Sequence, residues 1–394
     1  MGIETALPSG EQPMLRVTQT TAERTFLVFS APRRASASAA ADGYTQIADA
    51  LRKHRLEIVQ ERVFGNSSAE AAVLAARREA LQACGIPFGG PLTYVQGQPI
   101  WGEGLAGVII HTVPAGAGTG GTRAILDHGT SRGCAWRSEG ATFISLRDIR
   151  GLAESPGSDN SPPAQARRMF ERADRVLREH GACYGHVVRT WIYLSNILDW
   201  YGEFNRVRNE MYGEFGLMPG VRDTQSVLPA STGIGADLAG GAACAMDLLA
   251  VVPGKDGGPV ITRMGSLRQQ EAFRYGSAFS RGVVVQGSHG ALIEVSGTAA
   301  IDENGASLHP GDIRGQVRWT CETVASLLNR AAASSKDICA ATVFMKNRGD
   351  AAAVLEVMAD LGLENLPAVY VVADICRKEL LFEIDAEAET RGRG

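Results

Sequence analysis

The sequence predicts an α/β fold in which one mixed unit is repeated three times along 394 residues. Three observations carry this reading. The order of strand-like and helix-like segments recurs about every 110 residues, and such self-similarity marks a repeat architecture. Helical stretches place apolar residues every three or four positions, and the strands between them are short β-branched and aromatic runs. Hydrophobic residues make up 45% and charged residues 21%, the balance of a chain that folds around a core.

The first unit is expected over residues 15–120. Tyr44, Ile47, Ala48 and Leu51 mark a helix, and IVQERVF (58–64) reads as a strand. Ser67 and Glu70 have the S-x-x-E spacing of a capping box, which predicts a second helix running to about Cys84. Strands near 92–96 and 105–113 close the unit. GAGTGG (116–121) looks at first like a phosphate-cradling loop. A dinucleotide fingerprint needs a helix directly after it, and TRAILDHGTSRGCAWRS (122–138) has no sustained amphipathic period. Residues 121–138 are therefore expected to be a linker, and no nicotinamide cofactor is expected.

The second unit is expected over 139–253. GATFISLRDI (140–149) is a strand. The helical pattern 164–180 has Met169, Phe170, Ala173, Val176 and Leu177 on one face. VVRTWIYL (187–194) is a strand, and 200–215 is a second helix. Strands follow near 222–228 and 243–252. The third unit, 270–390, repeats the order. GALIEVSGTA (290–299) is a strand and DENG (302–305) carries an Asn-Gly turn. A helix spans 315–332, ICAATVFM (338–345) is a strand, 350–361 is helical, and strands run over 368–375 and 379–387.

Composition narrows the function. The net charge of −4 does not suggest a nucleic-acid or anionic-membrane partner. No apolar run reaches the ~18 residues of a membrane span, and MGIETALPSG lacks the basic and apolar regions of a secretory signal. The seven cysteines and seven histidines are scattered, without CxxC or HExxH spacing. Neither a metal nor a disulfide framework is expected, and a reducing cytoplasm fits.

The phrases RTWIYLSNILDWYGEFNRVRNEMYGEF (189–215), GALIEVSGTAAIDENG (290–305) and ELLFEIDAEA (379–388) resemble the RidA family of small trimeric deaminases. More closely, VQGQPIWGEGLAGV (95–108), WIYLSNILDWYGEFNRVR (191–208), LPASTGIGA (228–236) and YGSAFSRGVVV (275–285) resemble the chorismatases, over roughly residues 15–390. That family carries a RidA-like core in one long chain and splits chorismate into pyruvate and a ring acid. The resemblance implies three RidA-like units forming an intramolecular pseudo-trimer, a monomer, chorismate as the small-molecule partner, and no cofactor. A deaminase or small-acid-binding member of the RidA fold is the rival. It would be expected to keep the family's Arg and Glu in one unit, whereas here the second unit keeps Arg222 with Ala245 at the acid's place, and the third keeps Glu383 without the Arg.

Chorismate is a dianion, so its binding calls for at least two cations, preferably Arg forks. Cleaving its vinyl ether without a metal calls for a proton on the enol methylene, which a carboxylic acid of raised pKa can give. Glu383 stands among Leu381, Phe382 and Ile384. On an alternating strand it either faces solvent or is a buried acid, and the resemblance favours the acid. Arg222 and Arg281 are the expected carboxylate anchors. Arg189 alternates with Trp191 and Tyr193 and is either snorkelling or paired with an anion. Tyr201 and Tyr212 lie eleven apart on one helix and share a face, toward substrate or core. Tyr275 and Thr298 are candidate hydroxyl donors, and Arg206 and Arg208 read as a solvated helix face. By resemblance, Cys376 and Gly282 match the 3-hydroxybenzoate-forming branch, where a hydrolytic branch carries Ala. No His stands near Cys376 in sequence, so its sulfur is expected to fill space rather than attack.

Overall fold

Strand Val187–Leu194 shows how the chain builds its layers. It is buried throughout. Alternation sends Ile192 and Leu194 into a core beneath helices, while Trp191 and Tyr193 enter a second, central core. A strand covered on both faces reads as an unbroken apolar run. The structure, a computed structural model, describes residues 14–391 except 20, 22, 33–37, 88–89, 91, 117–120, 154, 156, 219–226 and 256.

The first third gives β1 (Met14–Gln19), β2 (Thr25–Ser30), α1 (Ala39–His54), β3 (Leu56–Gly65), α2 (Glu70–Ala83), β4 (Thr93–Gln96), β5 (Gln98–Pro99) and β6 (Leu105–Pro114). The middle gives β7 (Arg123–Asp127), β8 (Thr130–Ser138), β9 (Ala141–Arg150), α3 (Pro162–Glu179), β10 (Val187–Leu194), α4 (Ile197–Glu214), β11 (Ala230–Gly235) and β12 (Cys244–Pro253). The last third gives β13 (Val260–Met264), β14 (Gly282–Gln286), β15 (Gly290–Ala299), α5 (Ile313–Arg330), β16 (Ile338–Met345), α6 (Ala351–Asp360), β17 (Ala368–Val372) and β18 (Phe382–Arg391).

Three sheets result, ordered β1-β2-β6-β3-β4, β7-β8-β9-β12-β10-β11 and β13-β14-β15-β18-β16-β17-β5. They are copies of one plan. In each, the strand between the helices pairs antiparallel with the unit's last long strand and parallel with a short strand, which in the third sheet is capped in turn by β5 of the first unit. Each also slips register at the same place, between Ile58 and Gln60, Val187 and Arg189, and Ile338 and Ala340. A bulge shared at one position across three sheets is a feature of the repeat rather than an accident. The helices cover one face of each sheet. The other faces meet in a common core that includes Phe26, Val59, Phe143, Trp191, Leu249, Val283, Leu292 and Phe344.

The short parallel strands β4, β11 and β17 each dock on the next sheet in cyclic order. Thr93 donates to Asp247 at 2.5 Å, and Thr232 donates to Asp385 at 2.8 Å. At the third junction Val369 lies against Gly107, and Ser30 donates to the Ala368 carbonyl at 2.6 Å. Inside the ring, Arg62 and His111 pair with Glu387, and Arg189 bonds Asp385 at 3.0 Å and faces Glu294 at 3.3 Å. Arg147 faces Asp247 at 3.4 Å.

Three local expectations are corrected. Residues 121–138 contain β7 and β8, which extend the second sheet outward, rather than a linker. Ser67 sits in a 3₁₀ turn and makes no side-chain cap, and Glu70 accepts from Gln96 at 3.0 Å instead. Of the strand expected near 222–228, residues 222–226 lie outside the described residues and 227–228 are not strand; the strand parallel to β10 is Ala230–Gly235. Most of GAGTGG falls outside the described residues.

Candidate active site

The junction of β11 with the third sheet encloses a cavity of about 160 Å³. Its floor comes from the register of β18. Glu383 pairs with Phe344 exactly where Ala245 pairs with Tyr193 and Gly107 with Phe64, so one interior position carries Glu, Ala and Gly in the three units. The carboxyl is buried and lines the cavity. Among the described residues its side chain has no hydrogen-bond partner. Burial and the negative charge of Asp385 push it up to about 8, against the opposing pull of Arg189 and Arg281. At neutral pH it is a carboxylic acid holding its proton.

Helix α4 supplies one wall. Tyr201 and Arg208 are seven residues, two turns, apart and both reach the cavity, with Asn205 between them. Arg208 is buried, donates to Asn205 at 2.5 Å, and lies 5.4 Å from the Phe279 ring. Arg281 lies 5.4 Å from the same ring and donates to Tyr275 at 2.7 Å and the Gln270 carbonyl at 3.1 Å. Arg377 bonds the Gly305 carbonyl at 2.8 Å and stacks 5.5 Å from Tyr275. Among the described residues no carboxylate is within ion-pair distance of Arg208, Arg281 or Arg377. Three guanidiniums held by neutral groups around one cavity make a site that is short of negative charge.

Cys376 lines the same cavity, its thiol pushed up to about 12 by burial and by Glu383. It is neutral there and not a thiolate. Burial raises the hydroxyls of Tyr201 and Tyr275 as well.

The cavity thus gathers Glu383, Cys376, Arg281, Tyr201 and Tyr275 and leaves out four others. Gly282 faces away from it. A Cβ there would meet Met264 Cε at 2.6 Å and the Glu294 carbonyl at 3.0 Å, because strand alternation turns it opposite Arg281. Thr298 is buried and donates to the Ser296 carbonyl at 2.8 Å. Tyr212 shares a helix face with Tyr201, but eleven residues amount to about 16 Å along the axis, which carries it into the core against Phe170 and Tyr184. Arg189 is fully buried between Asp385, Glu294 and Trp191, so of the two readings the anion pair holds. Arg222 lies outside the described residues.

Arg206 is exposed, as expected, but Arg208 is not. Its position between Tyr201 and Tyr212 on one helical face was the signal that could have found it. Arg377, Phe279 and Gly297 carry no pattern that sets them apart in the sequence.

A family model described as Endoribonuclease L-PSP matches residues 270–390. The 3-aminoacrylate deaminase RutC of Acinetobacter baylyi is 33% identical over 98 residues, covering 25% of this chain and 78% of RutC. The 3-hydroxybenzoate synthase of Streptomyces hygroscopicus is 28% identical over 244 residues, covering 55% of this chain and 66% of that protein. A crystal structure of a chorismatase matches 84% of this chain and 92% of its own with a TM-score of 0.60 at 20% identity, a likeness of fold. With RutC aligned over 78% of its length, the chain belongs to the RutC and endoribonuclease L-PSP family, and it shares the overall fold of a chorismatase.

Proposed function

We propose that the protein is a chorismatase that splits chorismate into pyruvate and 3-hydroxybenzoate. The observation that carries this is one protonated carboxyl, Glu383, in a cavity ringed by three cations that have no carboxylate partner among the described residues. The likeness to a 3-hydroxybenzoate synthase supports the substrate and product. The three units close their ring within one chain, which supports a monomer.

Arg208, Arg281 and Arg377 hold the two carboxylates of the substrate, and Arg222 is proposed for the same work on the resemblance alone. Tyr201 and Tyr275 donate to ring oxygens. Glu383 gives its proton to the enol methylene, which becomes the pyruvate methyl, and the adjoining carbon becomes oxocarbenium-like. The neighbouring ring hydroxyl then displaces the ether oxygen. The C–O bond to the ring breaks, pyruvate leaves, and an epoxide forms across the two ring carbons. The Glu383 carboxylate takes the hydroxyl proton as the epoxide forms and returns it to the oxygen as the epoxide opens, and loss of one ring proton to the same carboxylate then gives 3-hydroxybenzoate. No water is consumed. Cys376 fills space that a water would need to reach the pyruvyl carbon.

Incubation with chorismate tests the reading. Pyruvate and 3-hydroxybenzoate should appear in equal amounts. A dihydroxycyclohexadiene acid as the chief product would overturn the product assignment, and absence of pyruvate would overturn the reaction.

A further inference from the structure

We infer that Gly297 is a positioning residue for the acid: the space left by its absent side chain is the seat of the Glu383 carboxyl. This rests on the chorismate reading for what the acid does, but not for where it sits. A Cβ at 297 would lie 2.1 Å from Glu383 Oε1 and 3.1 Å from its Cδ. The first is far inside van der Waals contact, and the second is inside it by a few tenths of an ångström. Gly297 is not among the positive-φ glycines, so conformational freedom does not explain it. It stands where the pairing of β15 with β18 slips, between Val295 and Thr298. The slip brings its bare backbone under the acid.

The far wall of the seat comes from another unit. Thr232 on β11 has its Cγ2 3.2 Å from the same missing Cβ. Its Oγ1 accepts from the Gly297 amide at 3.2 Å and from Arg189 at 2.7 Å, and donates to Asp385 at 2.8 Å. These bonds fix β11, β15 and β18 to one another, so the seat cannot widen. A side chain at 297 would move the carboxyl rather than the backbone, because the atom it meets is the end of a flexible chain.

Gly297→Ala should therefore fold and misplace the acid. Pushed off its seat into the cavity, the carboxyl would gain solvent and approach the guanidiniums, both of which favour its ionised form. The test uses the full chain labelled with δ-¹³C glutamate, the Glu383 resonance being assigned by its loss in Glu383→Gln. In the parent the resonance should titrate at about 8. In Gly297→Ala it should titrate lower by about one pH unit or more, and pyruvate release should fall about a hundredfold, the scale of a 1 Å misplacement. Glu383→Asp alone should be impaired. Added to Gly297→Ala, it should restore about tenfold over that single variant, since the shorter acid clears the new methyl.

An unchanged Glu383 titration in Gly297→Ala, or no gain from the second substitution, overturns the inference. A shifted titration in a protein that never releases pyruvate would leave the seat standing and remove the chorismate reading. If Gly297→Ala does not fold, the seat predicts that Gly297→Ala with Glu383→Ala does, because the colliding carboxyl is gone. Failure of that double variant to fold also overturns it.

Discussion

Glu383 and Arg208 differ in how visible they were. Glu383 stood out as an acid in an apolar strand, and its burial and raised pKa agree with that reading. Arg208 was hidden by its neighbour Arg206, because two arginines two apart on a helix suggest a wet face although they point some 200° apart. Three expectations concern these residues. Glu383→Gln keeps the shape and removes the proton, so turnover should fall by about 10²–10⁴-fold with little change in binding. For the parent, the rate should decline as pH rises through about 8, where the acid loses its proton, and that limb should be absent in the residual activity of the Gln variant. Arg208→Ala strips one charge-assisted contact, worth about 1.5–3 kcal/mol, so the Michaelis constant should rise roughly ten- to a hundredfold. An unchanged Michaelis constant would place the carboxylates elsewhere in the cavity.

At the level of elements, the repeated order of strands and helices was legible because period-two and period-3.6 patterns survive in all three units. The outer hairpin β7–β8 was not. β7, at the sheet edge, buries only Ile125 and Asp127, and β8 opens on the exposed or half-buried Thr130, Ser131 and Arg132, so neither shows a sustained alternation. The readable signal was the turn. His128 and Gly129 both have positive φ between the paired residues Asp127 and Thr130, as a two-residue type I′ hairpin requires. Gly282 was misread for a related reason: with Arg281 facing the site, alternation sends its neighbour to the opposite face. The strand context also separates two glycines. A Cβ at Gly107 would lie 2.5 Å from the Phe29 carbonyl oxygen and 2.6 Å from Val369 Cγ2. Backbone cannot yield as a side chain can, so Gly107→Ala should lower stability by about 1–3 kcal/mol. Urea midpoints check this, and a Gly107→Ala protein as stable as the parent would mean that the β17 junction is looser than it looks.

On the scale of the whole molecule, the ring is closed by charges that no single unit could satisfy. Arg62 comes from the first sheet, Arg189 from the second, and Glu294, Asp385 and Glu387 from the third. Glu294 and Glu387 sit directly opposite each other across β15 and β18, and two buried carboxylates that close do not both ionise. Burial raises both, but Arg62 and His111 outweigh it at Glu387 and hold that group well below the usual carboxylate range. Glu294 is raised by burial and by Glu387, and the opposing pull of Arg189 and Arg62 does not offset them. The proton therefore resides on Glu294. The two groups act on stability with opposite signs. The contribution of Glu387 is present above the ordinary carboxylate range and lost as pH falls through its lowered value. That of Glu294 is present at low pH and lost as pH rises through its raised value. Glu387→Gln leaves Arg62 buried without its partner and should cost about 3–5 kcal/mol. Glu294→Gln mimics the protonated acid, so it should be nearly neutral below the ordinary carboxylate range, already somewhat more stable than the parent at pH 6, and more so at alkaline pH. Urea titrations of both variants from pH 6 upward distinguish the two roles. Equal losses at pH 6 would mean that the proton is not on Glu294 and that the ring is held by a different arrangement of its charges.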